Sequence, residues 1–180
     1  MGSRKLASPA KSTRPTSDRI RESIFSSLES KSAVAGAEVL DLYAGTGALA
    51  LEALSRGAKS AVLVESNKQA AGVCIQNSRM IQDALSIEGH LVSALVQIQP
   101  VQKFLATNSK HFDLVFIDPP YELANSEVEA NLEALLPMVS RGGLVLVERS
   151  QRGPDLKVNG YSLLEKKNFG DTDIYWLTPN

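Results

Sequence analysis

Two short stretches carry residue types and spacings suited to chemistry. The first is Asp118-Pro119-Pro120-Tyr121. Its two prolines fix the backbone and remove two N–H donors, leaving carbonyls free to accept. The Asp118 carboxylate and the Pro119 carbonyl can each accept one hydrogen of an exocyclic amino group. Tyr121 can stack on the face of a base. An amino nitrogen conjugated to a purine is a poor nucleophile, because its lone pair is delocalised into the ring. Two acceptors on its hydrogens favour a pyramidal nitrogen and aim the lone pair outward. Transfer to such a nitrogen gains mainly from positioning and electrostatics, with no strong base required. Taken alone, the same tetrapeptide also fits a rigid loop after a strand.

The second stretch is Val39–Gly57, VLDLYAGTGALALEALSRG. Val39-Leu40-Asp41-Leu42-Tyr43 reads as a buried strand. Ala44-Gly45-Thr46-Gly47 turns the chain. A helix follows with Leu49, Ala50, Ala53 and Leu54 on one face and Gly57 as its stop. Gly45 and Gly47 leave no Cβ between backbone and ligand, and the helix start directs unpaired N–H groups to the same place. Glu65 ends the next apolar run, twenty residues after Gly45, where a ribose-binding acid is expected. The pattern suits a nucleoside cofactor. Gly45-Thr46-Gly47-Ala48-Leu49-Ala50 also fits the dinucleotide fingerprint, and a short glycine turn can be purely structural. Two features favour S-adenosylmethionine (SAM) over NAD. Asp41, four residues before Gly45, would attract a methionine ammonium and repel a pyrophosphate. The Asp118 tetrapeptide suits an amine that accepts a methyl group. The cofactor set so read is Asp41, Tyr43, Ala44, Gly45, Thr46, Gly47, Glu65 and Ser66.

These stretches sit in a chain of 180 residues, 43% hydrophobic and 22% charged, which suits one globular domain with a real core. No apolar run approaches the ~18 residues of a membrane span, and no signal-peptide pattern opens the chain. The single cysteine, Cys74, excludes an internal disulfide. A cytoplasmic location is expected. His90 and His111 are isolated, so no metal site is expected. Net charge is −1, but residues 1–21 carry six basic side chains against Asp18, a balance of +5 that leaves −6 for the rest. A basic arm over residues 1–15, able to meet phosphates, is expected before a single domain over 16–180. A solvated terminus is the plainer reading of the same charges.

Elements that would position the two stretches alternate along the chain. A first helix starts near Thr16-Ser17-Asp18, with Ile20, Ile24, Phe25 and Leu28 as its buried stripe. Strands are expected at 38–43, 61–65, 87–92, 112–117 and 144–147. Helices are expected at 47–56, 67–82 and 100–107, and from a capping box at Ser126-Glu127-Val128-Glu129 until Pro137. A hairpin, 162–167 with 173–177, closes the chain. Repeated βα units give a mostly parallel sheet with helices on both faces. Its ligands bind beyond the carboxyl ends of the strands, where Asp41–Gly47, Glu65 and Asp118–Tyr121 would meet.

Three further blocks narrow the reading: Arg14-Pro15-Thr16-Ser17-Asp18-Arg19-Ile20-Arg21-Glu22-Ser23, Leu40–Leu49 with Glu52–Gly57, and Phe169-Gly170-Asp171-Thr172. With Asp118-Pro119-Pro120-Tyr121 they resemble the bacterial 16S ribosomal RNA guanine-N2 methyltransferase family, over nearly the whole chain. The resemblance implies an α/β, Rossmann-like class I methyltransferase fold. Its seven-stranded sheet would run 3-2-1-4-5-7-6 with a C-terminal antiparallel hairpin. It implies SAM as cofactor and 16S rRNA of the small subunit as partner, with methylation of a guanine 2-amino group near the P site. Asp118, Pro119, Pro120 and Tyr121 would be catalytic. Arg14, Thr16, Arg19 and Arg21 would meet RNA, and Glu22 would close the methionine end of the cofactor site. Two departures stand out. Family members usually begin with an extra strand or hairpin, for which little room is seen. The wider fold often has an acid after strand three, but Leu91–Leu95 contains none, so Ser93 or the backbone of Ala94 is expected to hold the adenine. A monomer is expected.

Three other readings stay open on the residues alone. The acceptor could be adenine in DNA or a protein amide, because the tetrapeptide grips an amino group rather than a named base. The chain could be a non-catalytic RNA-binding assembly factor, against which Asp41, Gly45, Gly47, Glu65 and Asp118 argue. It could be an NAD-dependent oxidoreductase, against which Asp41 and Asp118 argue.

Overall fold

Short, nearly all-apolar runs alternating with helical segments build one sheet covered on both faces. The computed structural model describes residues 15–180, with side chains from Asp18 onward. The expected arm therefore lies outside the described residues, except for Pro15, which opens the first helix. The elements run α1 Pro15–Ser30, β1 Glu38–Leu42, α2 Ala48–Ser55, β2 Ser60–Glu65, α3 Lys68–Ile87 and β3 Ser93–Ile98. They continue with α4 Val101–Thr107, β4 Phe112–Ile117, α5 Asn125–Leu135, β5 Val139–Ser150, β6 Tyr161–Phe169 and β7 Thr172–Pro179. The strand order is β3-β2-β1-β4-β5-β7-β6. Strands β1 to β5 are parallel, and β7 pairs antiparallel with both β5 and β6.

The central strands are buried on both faces, which explains their unbroken apolar runs. One face packs Val39, Leu63, Phe116 and Trp176 against Ile20, Ile24, Phe25 and Leu28 of α1 and against α2 and α3. The other packs Leu40, Leu42, Val115 and Val147 against α4 and α5. Phe25 and Phe116 meet with ring centroids 5.9 Å apart. Each such buried aromatic contributes up to ~3 kcal/mol by apolar transfer.

Two boundaries differ from expectation and bear on the site. The third strand lies at Ser93–Ile98, not 87–92. Helix α3 keeps its buried face through Ile81 and Leu85 and runs on to Ile87. It ends in a glycine cap: Gly89 has φ 84, its N–H bonds Ser86 O at 3.0 Å, and His90 N–H bonds Leu85 O at 2.9 Å. Ile87 and Leu91, which suggested a strand, are 88% and 93% exposed. The capping box at Ser126 is not formed. Helix α5 starts at Asn125 with Ala124 as its N-cap and no side-chain cap.

Candidate active site

The carboxyl ends of the parallel strands share one rim. Leu42 is level with Ile117, Glu65 with Ile98, and Ile117 with Val147. The chain leaves β1 and β4, adjacent strands, in opposite directions, which makes the gap between them the switch point where ligands of such sheets bind. The turn Tyr43–Gly47 and the Asp118 tetrapeptide both open there.

The turn is held from several sides. Tyr43 has φ 65, a conformation aromatic residues rarely adopt. Its hydroxyl accepts from Asn131 Nδ2 at 2.7 Å, which anchors the strained residue to α5. Ala44 N–H bonds Val64 O at 3.0 Å, and Gly47 N–H bonds Ala44 O at 2.7 Å. Asn77 of α3 donates to Thr46 O at 3.0 Å. Glu65 accepts from Gly45 N–H at 2.9 Å on one oxygen and from Asn67 N–H at 2.6 Å on the other. Asn67 in turn caps α3, accepting from Gln69 and Ala70. A carboxylate has about four acceptor sites, so Glu65 keeps lone pairs free for a further donor.

The two glycines do different work. A Cβ on Gly47 would meet Leu63 Cδ2 at 2.9 Å and Cys74 Sγ at 3.0 Å, so Gly47 lets α2 and α3 close on β2. A Cβ on Gly45 would meet nothing within 4 Å. Gly45 therefore borders open space at the rim, where a Cβ would intrude on a bound ligand. The residues present fit SAM: a glycine cradle, an acid for the ribose, and Asp41 behind the turn.

Asp41 is buried, 2% exposed, and its Oδ2 accepts from Ala50 N–H at 3.2 Å, in the first turn of α2. Burial pushes its pKa up to about 8. The charges of Asp118 and Glu65 add to this, while the Ala50 hydrogen bond opposes it. The sign for stability follows. A folded pKa raised above the unfolded value leaves the protein most favoured below ~4, and that advantage is lost as pH rises to about 8. Asp41→Asn mimics the neutral acid. It is expected to raise Tm at pH 8 by several degrees, one pKa unit being about 1.4 kcal/mol. The gain should vanish near pH 4. SAM affinity should fall, since a methionine ammonium is the partner that would repay ionising Asp41. Thermal melts across pH, with calorimetry, check both; a gain of equal size at pH 4 and pH 8 would refute the burial argument.

Asp118 follows β4, and its N–H bonds Leu42 O at 3.4 Å. Asp118 keeps accessible surface at this rim, yet its carboxyl is crowded enough that burial pushes its pKa up to about 6. Tyr121 is 57% exposed, with its hydroxyl 3.5 Å from Glu148 Oε1 and 3.4 Å from Thr172 Oγ1. The loop beyond it is fastened by buried Arg149, whose NH2 donates to Leu123 O at 2.7 Å and whose Nε donates to Asn125 Oδ1 at 3.0 Å. Removal from bulk water raises the pKa of both Asp118 and Glu148, and the charge of Asp118 raises Glu148 further. Sequence reading missed Glu148 and Arg149. Their signal is a charged pair, Glu148-Arg149, closing the apolar run Leu144–Val147.

Other expected residues fall differently. Ser66 is exposed beside Glu65. Ser93 and Ala94 begin β3 rather than follow it, about 13–16 Å from the rim at ~3.3 Å per residue. The Ala94 N–H is already taken by Gln82 Oε1 at 3.0 Å. Gln99, directly after β3, stands where they were expected. The side chains of Arg14 and Thr16 lie outside the described residues. Helix α1 ends at the opposite rim, where Glu29 pairs with Arg56 at the foot of α2 at 2.8 Å. Its start therefore rises towards the site. There Arg19 and Glu22 are exposed, and Arg21 pairs with Asp18 at 3.0 Å.

Fold and site together define a class I, SAM-dependent methyltransferase. The chain belongs to the family described as conserved hypothetical protein 95, whose model matches residues 1–178. It is 32% identical to ribosomal RNA small subunit methyltransferase D of Escherichia coli, over 94% of this chain and 88% of that one. Its identity to the protein of the same name from Haemophilus influenzae is 31%, over 87% and 78%. A hypothetical protein of Thermus thermophilus superposes with TM-score 0.76 at 30% identity, covering 98% and 93% of the two chains. Magnesium protoporphyrin IX methyltransferase of Synechocystis, solved with bound SAM, shares the fold at TM-score 0.71 and 16% identity, over 92% and 80%.

Proposed function

We propose that the chain transfers a methyl group from SAM to the exocyclic 2-amino group of a guanine in 16S rRNA. Methyl transfer to ribosomal RNA rests on the family and the names of its members. The observation that carries the amine acceptor is Asp118-Pro119-Pro120-Tyr121 at the end of β4, one strand from the glycine cradle. SAM supplies an electrophilic methyl on a sulfonium sulfur, which takes back the C–S electron pair. Asp118 and the Pro119 carbonyl accept the two amino hydrogens and hold the nitrogen pyramidal. Tyr121 offers its exposed ring to the base. After transfer the nitrogen carries a positive charge, and one amino proton passes to the Asp118 carboxylate that already accepts it and from there to water.

Asp41, Tyr43–Gly47, Glu65 and Ser66 form the cofactor site in this reading. Gln99 replaces Ser93 and Ala94 as the residue for the adenine edge, since an amide side chain offers both a donor and an acceptor. Residues 1–15 act as a basic arm ahead of the domain 16–180. Arg14 and Thr16 meet RNA, as do Arg19 and Arg21 where α1 reaches the rim, and Glu22 closes the methionine end. The test is labelled SAM with methylation-deficient small subunits, naked 16S rRNA and DNA, followed by mapping of the label. N2-methylguanine in 16S rRNA is expected. Label in adenine, in protein or in DNA alone would replace this reading.

A further inference from the structure

We infer that Glu148 reads the Watson–Crick edge of the target base, accepting the N1–H of guanine while Asp118 holds the 2-amino group. The inference rests on the proposed function and adds the residue that sets base identity.

Glu148 is placed for this by strand register. Ile117 of β4 is level with Val147 of β5 in a parallel pair. Asp118 and Glu148 each follow by one residue, so the pleat sends both side chains to the same face. That face is the one bearing Phe116 and Leu146, against which α1 packs. Among the described residues, the Glu148 carboxylate has no hydrogen bond shorter than the 3.5 Å contact from Tyr121. A contact of that length leaves its acceptor capacity largely unused.

Gripping an amine requires only Asp118 and the Pro119 carbonyl. A second half-buried carboxylate beside them adds repulsion and desolvation that the amine grip does not need. The Watson–Crick edge of guanine offers a run of donors, N1–H and the 2-amino group, and can satisfy two neighbouring carboxylates. Adenine has a lone pair at N1, and cytosine has one at N3; above the raised Glu148 ionisation both would face its carboxylate lone pair to lone pair. A site built around a substrate N–H rejects an analogue lacking it far more strongly than a shape-based pocket does, because a buried group is left unpaired.

The discriminating substrate is 2-aminopurine, which keeps the 2-amino group but has a lone pair at N1. Small subunits are reconstituted with 16S rRNA carrying guanine or 2-aminopurine at the mapped position, and single-turnover methylation is measured. The parent should prefer guanine by roughly 10²-fold or more. Glu148→Gln presents an amide that can donate to N1, so the preference should fall at least ~10-fold. SAM affinity should not change. Glu148→Ala supplies a second arm: the guanine rate drops and the 2-aminopurine rate barely moves. Tyr121→Phe removes the hydroxyl contact, and the guanine preference should survive it. A pH profile gives an independent readout. If both carboxylates must be ionised, the parent's acid limb follows the second ionisation of the pair. In Glu148→Gln only Asp118 titrates, so the limb should move to lower pH. An unchanged guanine preference in Glu148→Gln, or its loss in Tyr121→Phe, overturns the role of Glu148 while leaving the reaction intact. A parent that places no methyl on guanine N2 overturns the proposed function and this inference together.

Discussion

Asp118→Ala is expected to slow single-turnover methylation by ~10²–10³-fold while leaving SAM affinity within a few-fold. The split arises because Asp118 is exposed at the rim and, among the described residues, makes no side-chain hydrogen bond to the turn, which is held by Glu65 and its partners. Only the backbone of Asp118 bonds to its neighbour strand, through Leu42 O, and alanine preserves that bond. The loss should not come from unfolding. The folded state raises the carboxyl pKa of Asp118, so removing the group relieves strain at neutral pH and Tm should hold or rise. Asp118→Asn should recover part of the rate, because its amide oxygen still accepts one amino hydrogen. Single-turnover rates on saturating substrate, set beside SAM titrations, separate the two effects. A rate near that of the parent would mean that another group orients the amine.

Gly45→Val is expected to abolish measurable SAM binding. The valine side chain would enter space that is open within 4 Å of the Cβ position, and no protein atom stands there to be displaced. With φ +56, a β-branched residue also strains the turn by ~1–2 kcal/mol. The fold should therefore survive with a lower Tm. Gly47→Ala is the contrast. Its methyl would press on Leu63 and Cys74 inside the core, so stability should fail first and binding only as a consequence. Calorimetry and thermal melts on both variants distinguish cradle from packing. Parent-like affinity in Gly45→Val would place the cofactor elsewhere.

The cofactor turn was legible because local pattern and chemistry coincide there, whereas the strand order came from the family resemblance. Val39–Gly57 combines an apolar run, two glycines and a helical face, and each signal points to the same strand–turn–helix. Asp118 stood out as a candidate because two prolines directly follow it after an apolar strand. What the sequence hid was tertiary. The edge strand β3 is only half-buried, so its apolar signal is weak, and exposed Ile87 and Leu91 imitated it. That error carried Ser93 and Ala94 to the wrong end of the strand. Ser126 lost its capping role because α5 starts two residues earlier than that cap would set, at Asn125, which is engaged by Arg149 and Pro154 O. Glu148 became a candidate only when the parallel register set it beside Asp118, a relation no local window contains.

The clasp at Glu65 bears on how fast the cofactor site can fill. One carboxylate already fixes Gly45 and Asn67, Asn77 already holds Thr46, and the strained Tyr43 is already anchored to Asn131. These bonds hold the turn in one shape without a ligand, and under the proposed cofactor reading arrival of a nucleoside would need no prior rearrangement of the loop. Nearly every encounter would then find a receptive turn, with no affinity lost to a rarely populated state. Association should then follow a single exponential whose rate rises linearly with ligand concentration, and differences in affinity among variants of this turn should reside in how long the ligand stays.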